Sequence, residues 1–442
     1  MGGVKFVIHR PNYDPDARTA VFTYTLGEYP FAETLQFDSD WPLAQDAATG
    51  LDPLLNIAAA VLGASYFKLL APVEIVSEVP LPRAGIRLVE DVYTNGLGEF
   101  YARNDLKRFG QLSVQIAETS PAATAPANVN GPALLLIGGG KDSLSSAQIL
   151  EALGEPFTPF AVNPKGPILA SMDALGRKPL HVTRQIDSRL LELNTSPGTY
   201  NGHVPSTAMN MCIAAISARL FGFSKIVLSN EHSASEGNRP FDGRLVNHQH
   251  SKSLGFERLF AEMLAETAPE LTAFSLLRPF SEAKIAEIFA RETRFDLAFS
   301  SCNRNFRIAG HDGDLWCCDC PKCRFVFLIL APHMPKDRLT SIFGRNLLDD
   351  PSQIDGFREL CGLTGQKPWE CVGEIMEAAS ALHRLGMDQE WRNDCVIQTL
   401  CPELVSRYGQ KSLDDGWHSA MQTAHEHALP ETWAERVIEY AD

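Results

Sequence analysis

Long apolar runs are absent from this 442-residue sequence, which has no stretch of about 18 apolar residues such as a membrane-spanning helix requires. The first residues, 1–11, also lack the long apolar core of a signal peptide. Basic residues are in the minority, since 39 Lys and Arg stand against 54 Asp and Glu and give a formal net charge of −15. Non-specific nucleic-acid binding needs a basic face, so we expect no nucleic-acid partner. From the missing apolar segments we expect a cytoplasmic protein with no membrane partner.

Internal repeats and low-complexity tracts are also absent, apart from one small, uncharged, proline-bearing segment at 119–131 that predicts a linker. The length allows two or three domains with sizeable cores. We expect an N-terminal α+β domain at 1–118, an α/β domain at 132–345 and a helical C-terminal region at 346–442. Without an export signal, the ten cysteines are expected to be reduced thiols or metal ligands, because disulfides are rare in the cytoplasm.

The stretch 132–146 is the segment around which the chain is organised. Its apolar run at 133–137 predicts a buried parallel strand. The three glycines at 138–140 allow a tight turn that exposes backbone N–H groups, and Asp142 and Ser143 fit the first turn of a helix. This loop predicts an anion-binding site, because free N–H groups and the positive end of the helix dipole converge there.

From this stretch onward, strand-like and helix-like segments alternate, which predicts a parallel sheet with helices on both faces. The candidate strands are 133–137, 160–162 and 225–229. Ligands of such sheets bind at the carboxyl ends of the strands, so the glycine loop, Asn163 and the segment 230–232 are expected on one rim. The segment 208–220 predicts a helix, and we expect Ser206 or Thr207 to cap it.

Several segments supply candidates for substrate binding and proton transfer. His203 precedes the predicted helix at 208–220, and His232 follows a predicted strand. The segment 247–253 is dense in hydrogen-bonding groups, and on a strand its His248 and His250 would share a face. A solvated loop is the alternative for that segment, and a metal pair is disfavoured because the sequence offers no nearby third ligand.

Five of the ten cysteines lie within 22 residues. Cys317, Cys320 and Cys323 are spaced C-x₂-C-x₂-C, and Cys302 precedes them by 14 intervening residues. Four thiolates at this spacing suit a closed, structural zinc site, with Cys318 as a bystander. An iron–sulfur cluster and plain buried thiols are the alternatives.

The glycine loop resembles the PP-loop of ATP pyrophosphatases, usually written S-G-G-x-D-S, with Gly138 in the place of the first serine. The cysteine group is similar to that of the 7-cyano-7-deazaguanine synthase group, which is itself a PP-loop family. The resemblance implies that 132–345 is a Rossmann-like ATP-binding catalytic domain of the adenine nucleotide hydrolase type, with Mg²⁺ held by phosphate oxygens and Asp142. The residues implied to bind the nucleotide are Gly138, Gly139, Gly140, Lys141, Asp142, Ser143, Asn230 and Glu231, with Lys141 pointing its charge at phosphate or solvent.

Several segments together resemble the MurL family of UDP-N-acetylmuramoyl-L-alanyl-L-glutamate epimerases. They are the glycine loop, 202–205, 229–234 with 237–238, 247–253 and the cysteine group. The resemblance implies ATP-dependent inversion of the terminal L-Glu of a nucleotide-sugar peptide to D-Glu during peptidoglycan synthesis. The carboxylate would be adenylated, and AMP and pyrophosphate would be released.

The catalytic base is left open by the sequence, and so is the oligomeric state. The catalytic candidates are Asp142, His203, His232, His248, His250 and Lys252, with Glu231 as a further Mg²⁺ ligand or an orienting residue. One alternative function is a PP-loop enzyme that forms an amide or thio product, as the deazaguanine synthase group does. Another is a non-enzymatic nucleotide sensor, which the loss of the loop serine at Gly138 motivates.

Overall fold

The computed structural model describes residues 3–122, 131–237, 239–306, 314–365, 370, 372–424 and 426–442. Most of the predicted linker and Asn238 of the family resemblance lie outside the described residues. The strands in the described part are β1 (Lys5–Ile8), β2 (Asn12–Asp14), β3 (Thr19–Leu26), β4 (Tyr29–Phe37), β5 (Glu74–Ser77), β6 (Ser113–Gln115), β7 (Ala133–Leu136), β8 (Phe157–Val162), β9 (Leu180–Gln185), β10 (Lys225–Leu228), β11 (Arg239–Phe241), β12 (Arg244–Val246) and β13 (Thr272–Ser275).

The α-helices of the same residues are α1 (Leu51–Leu62), α2 (Ala64–Phe67), α3 (Arg83–Asp91), α4 (Gly98–Arg103), α5 (Lys141–Ala152), α6 (Pro167–Leu175), α7 (Ser188–Leu193), α8 (Ser206–Phe221), α9 (Leu254–Thr267), α10 (Glu282–Ala290), α11 (Pro321–Leu330), α12 (Lys336–Phe343), α13 (Ile354–Leu360), α14 (Ile375–Gly386), α15 (Cys395–Tyr408), α16 (Gln410–Ala420) and α17 (Glu431–Ala441). In the described part of the chain, no helix is both long enough and apolar enough to cross a bilayer.

One sheet of eleven strands runs through the molecule in the order β13-β10-β7-β8-β9-β4-β3-β1-β5-β6, with β2 added to β3. The five strands from β13 to β9 are all parallel. The direction in which successive strands are added to the sheet reverses at β7: β8 and β9 lie on one side of it, and β10 and β13 lie on the other. Such a reversal opens a crevice at the carboxyl ends of the strands, which is where ligands of open α/β sheets bind.

The central strand β7 has the burial expected of a strand covered on both faces, since Ala133, Leu134 and Leu135 are fully buried. Leu134 packs into one core with α8, while Ala133 and Leu135 pack into a second core with α5 and α10. The predicted mixed α/β fold is confirmed, and so is the helical C-terminal region, which α13 to α17 form.

The N-terminal strands continue the same sheet, because β4 pairs antiparallel with β9. The register places Thr34 opposite Gln185 and Phe37 opposite Val182. The sheet therefore joins the regions on either side of the predicted linker, while the division into domains at 118, 131 and 345 stays a prediction.

One local prediction is wrong. Neither Ser206 nor Thr207 caps α8: the helix begins at Ser206, directly after Pro205, and no side chain caps it. Proline suits this place because its fixed φ is already helical and it has no N–H to satisfy.

The segment 247–253 is not a strand, so the condition under which His248 and His250 would share a face is not met. β12 ends at Val246, and the chain turns into a short 3₁₀ helix at His250–Lys252. The Asn247 side chain causes the turn, since it accepts from the backbone N–H of Gln249 at 2.9 Å and donates to the Ala234 carbonyl at 2.8 Å.

Candidate active site

The glycine loop lies between β7 and α5, and its shape depends on two of its three glycines. Gly139 has φ +82°, and a Cβ there would come within 3.0 Å of the backbone of α6. A Cβ on Gly140 would meet the Ser301 hydroxyl at 2.7 Å, whereas one on Gly138 would meet nothing within 4 Å. No side chain caps α5, so its first N–H groups remain available to an anion.

Ser143 lies over this loop from the first turn of α5. Its hydroxyl accepts from the backbone N–H of Gly138 at 3.4 Å and donates to the Gly140 carbonyl at 3.2 Å. A cleft of about 340 Å³ opens beside the loop at the ends of β7, β8 and β10. The predicted site residues that line it are Gly138, Gly140, Asp142, Ser143, Asn230 and Lys252.

Lys141 does not point where the sequence predicts. Its side chain is buried, and its ammonium pairs with the carboxylates of Asp142 and Glu282. Burial lowers the pKa of Lys141, but the two carboxylates outweigh it and the net shift is upward. Burial also raises the pKa of Glu282 to about 8, against the opposing effect of Lys141. The ammonium therefore pairs with Asp142 and Glu282 and does not face solvent.

Asp142, Glu231 and Glu282 form a carboxylate group beside the loop, with oxygens that all lie within 4.8 Å of one another. Mg²⁺ prefers such oxygen ligands and usually takes only one or two carboxylates together with phosphate oxygens. The donor set therefore fits Mg²⁺, with Asp142 and Glu231 as the carboxylates that would hold it. Sequence reasoning missed Glu282, which begins α10, the helix that follows β13. The rule that ligands bind at the carboxyl ends of parallel strands could have identified it.

The segment after β10 reaches the same rim. Asn230 donates to the Ser275 hydroxyl at 2.9 Å, which holds it against the neighbouring strand β13. His232, in contrast, is exposed and begins a 3₁₀ helix at His232–Ser235. It does not line the cleft.

Two of the other predicted histidines have carboxylate partners from the N-terminal region. His203 Nδ1 lies 3.3 Å from a Glu99 oxygen, and His250 Nε2 lies 2.6 Å from Asp91 Oδ2. His248 is buried. Sequence reasoning missed Glu99 and Asp91, because nothing in 1–118 indicates chemistry.

The electrostatic environment of His203 keeps its ring neutral. Burial lowers the pKa of His203 to about 4, and so do the charges of His248, Arg103, Lys252 and Lys68. A neutral imidazole at physiological pH can accept a proton. We call His203 and its neighbour His248 the histidine cluster. Because Lys252 also lines the cleft, it connects the glycine loop with this histidine cluster.

One buried arginine, Arg278, contacts both the segment that contains Glu231 and the segment that contains Lys252. It is fully buried and pairs with Glu257 at 2.9 Å. Its guanidinium donates at 2.6 Å to the backbone carbonyl of Glu231 and at 2.6 Å to that of Lys252. Sequence reasoning missed this residue too, because its role depends on three segments that are distant in sequence.

The four predicted thiols come together, with sulfurs that all lie within 4.8 Å of one another. Cys323 Sγ lies 3.7 Å from Cys317 Sγ and 3.5 Å from Cys320 Sγ. A tetrahedral zinc ion with Zn–S distances of about 2.3 Å sets its sulfurs roughly 3.8 Å apart, so the thiols fit a single ion. Cys318 stays outside the group, and its thiol lies 3.2 Å from the Phe343 carbonyl.

The fold and the site define a doubly wound α/β protein with a glycine loop at its switch point and a group of four thiols that could hold a metal ion. Comparison with known proteins identifies the family to which the chain belongs. The family model of the MurL N-terminal domain matches residues 2–276, and that of the MurL C-terminal domain matches residues 298–414. The chain therefore belongs to the MurL family, as the resemblance predicts.

Three curated relatives share the name UDP-N-acetyl-alpha-D-muramoyl-L-alanyl-L-glutamate epimerase. The protein from Micromonospora sp. is 43% identical over 88% of this chain and 89% of its own length. The one from Salinispora tropica is 42% identical over 88% and 87%, and the one from Xanthomonas oryzae pv. oryzae is 39% identical over 96% and 94%. Epimerases are isomerases, so the predicted enzyme class is confirmed.

Proposed function

We propose that this chain inverts the terminal L-Glu of UDP-MurNAc-L-Ala-L-Glu to D-Glu for peptidoglycan precursor synthesis, using ATP to activate the carboxylate. The names of relatives that align over most of their length support the reaction. One structural observation carries the proposal of a coupled site: Lys252 lines the glycine-loop cleft and is near enough to His203 for its charge to lower the pKa of that histidine. A phosphate site and a proton-transfer site are thus adjacent.

The chemistry explains why both sites are needed. A free carboxylate resists loss of its α-proton, because the product is a dianion. In the proposed first step, a carboxylate oxygen attacks the α-phosphorus of ATP, the bond to the β-phosphate oxygen breaks and pyrophosphate leaves. The resulting mixed anhydride carries no carboxylate charge, so its α-proton is far more acidic. Water then cleaves the inverted anhydride to D-Glu and AMP.

The glycine loop suits the first step as a PP-loop. The open N–H groups of α5 and the Ser143 hydroxyl would bind the departing pyrophosphate. Mg²⁺, when bound, would neutralise the charge that develops on the phosphates. Asp142 and Glu231 are the residues of this chain that would hold it.

The histidine cluster suits the inversion, which requires a proton to leave one face of the α-carbon and another to arrive at the opposite face. His203 is our candidate for the base, because its ring is neutral and Glu99 orients it. Lys252 is the candidate for the opposite face, because it lines the cleft. His248 and His250 would then complete the wall of the substrate site.

The test is incubation with UDP-MurNAc-L-Ala-L-Glu, ATP and Mg²⁺ in D₂O, followed by chiral analysis and mass spectrometry of the glutamate. We expect D-Glu that carries one deuterium, together with AMP and pyrophosphate. Retained L-Glu without AMP would reject the proposal, and an amidated or thiolated product with AMP would favour the deazaguanine synthase alternative. Asp142→Asn should abolish AMP formation, whereas the control Asp355→Asn, at a carboxylate that is 94% exposed, should not.

A further inference from the structure

The four-thiol group lies next to the glycine loop, and its first segment touches the loop directly. The backbone N–H of Ser300 donates to the Gly139 carbonyl at 2.8 Å. The Ser301 hydroxyl reaches Gly140 so closely that a Cβ there would lie 2.7 Å from it. Cys302 follows, and its N–H donates to the Ser300 hydroxyl at 3.1 Å. Three consecutive residues therefore connect the loop with the thiols.

The second segment of the group carries a lysine into the cleft. Lys322 lies between Cys320 and Cys323 and lines the same cleft as the glycine loop. Its backbone is fixed at the start of α11, where the Cys320 sulfur accepts from the Cys323 N–H at 3.4 Å. Two thiols of one proposed metal site thus flank this lysine in the chain.

The cleft needs a cation for a bound phosphate, and Lys322 can supply it. Lys141, the cation that the loop motif itself supplies, is occupied by Asp142 and Glu282. Within the described residues, Lys322 makes no ion pair of its own. A nucleotide triphosphate bound at the loop would need a cation there, and a lysine ammonium commonly supplies it.

We propose that Lys322 binds a phosphate of the nucleotide and that the metal at the four thiols positions it. This inference rests on the proposed function, since it takes ATP as the ligand of the loop. Metal binding would fix Cys320 and Cys323, and with them the direction of Lys322, while Cys302 would fix Ser301 against the loop. Nucleotide and metal then stabilise each other's sites, because such coupling is reciprocal.

The experiment measures ATP–Mg²⁺ binding by titration calorimetry on the metal-loaded protein as purified. Its variants are Lys322→Gln and a matched control, Lys411→Gln, which removes the same charge from an exposed position on α16. Loss of a charge-assisted hydrogen bond should weaken ATP binding roughly 10- to 100-fold in Lys322→Gln. Metal content and the urea unfolding midpoint should match the wild type, and Lys411→Gln should bind ATP normally.

A second measurement tests the positioning by the metal. ATP should slow metal transfer to a chromogenic chelator in the wild type and in Lys411→Gln, but not in Lys322→Gln. Unchanged ATP affinity in Lys322→Gln overturns the phosphate role, and so does a lowered metal content or midpoint in that variant. Metal transfer that ATP slows equally in all three proteins overturns the coupling. A wild type that binds no ATP overturns the proposed function itself, which is a different result.

Discussion

Replacing Lys141 by methionine tests whether this lysine serves the fold or the phosphates. The lysine is 2% exposed and lies between the carboxylates of Asp142 and Glu282. Methionine is apolar and of similar length, so it fills much of the same space. Glu282, which is 5% exposed, would lose its cation and remain buried.

Removing one partner of a buried ion pair costs about 3–5 kcal/mol. The pKa of Glu282 is already about 8, mainly through burial, while Lys141 opposes the shift. Without Lys141 this pKa rises further, so Glu282 stays protonated at pH 7 and the cost falls toward the lower limit. A raised carboxyl pKa makes stability fall as pH rises from the unfolded pKa to the folded one. The wild type stops losing stability near pH 8, whereas the variant continues to lose it up to its higher Glu282 pKa, so the destabilisation by Lys141→Met should grow above about pH 8.

Urea unfolding followed by tryptophan fluorescence measures this effect. The double variant Lys141→Met with Glu282→Gln should recover at least half of the stability that Lys141→Met loses above pH 8, because the stranded carboxylate is gone. The control Arg87→Ala removes an exposed pair with Glu262 and should cost no more than about 1 kcal/mol. A Lys141→Met protein of wild-type stability that binds ATP weakly would refute our assignment and return Lys141 to the phosphates.

Three further predictions concern the loop, the thiols and the base. Gly140→Ala should weaken ATP binding, because its Cβ would meet Ser301 at 2.7 Å, whereas Gly138→Ser has open space and should keep both affinity and thermal midpoint. A strong chelator should lower the thermal midpoint, since closed zinc sites contribute folding energy, and elemental analysis that finds neither zinc nor iron would contradict this. Deuterium incorporation into the substrate should stay constant from pH 8 to 6 and fall toward pH 4, because the pKa of His203 is lowered to about 4. A midpoint near the ordinary histidine value of about 6.5 would point to another base.

The parallel part of the sheet could be predicted from the sequence because its strands are buried on both faces. Every residue of β10 is buried, and after Lys225 the strand continues as an apolar run, as expected of a strand covered on both faces. The pairing of β4 with β9 could not be predicted in the same way. It joins residues up to 151 positions apart, and no local pattern of side chains specifies such a partner.

The same distinction holds within the site. The glycine loop and the C-x₂-C-x₂-C spacing are local, so their chemistry could be inferred from neighbouring residues. Lys141 was misjudged because its deciding partner, Glu282, lies 141 residues away. Glu99 beside His203 was missed for the same reason, since ionisable residues on a helix are usually just its solvated face.

Arg278 links the two halves of the proposed reaction. Through backbone carbonyls it holds Glu231 on the side of the phosphates and Lys252 on the side of the histidines. The donors of a guanidinium have a fixed planar geometry. Neither the segment of Glu231 nor that of Lys252 can therefore shift without straining a hydrogen bond to Arg278. The carboxylate that would bind Mg²⁺ and the lysine that would face the α-carbon are therefore kept in one spatial relation. An acyl-adenylate formed at the glycine loop would thus already lie beside the proton-transfer groups, without dissociating into water that would hydrolyse it.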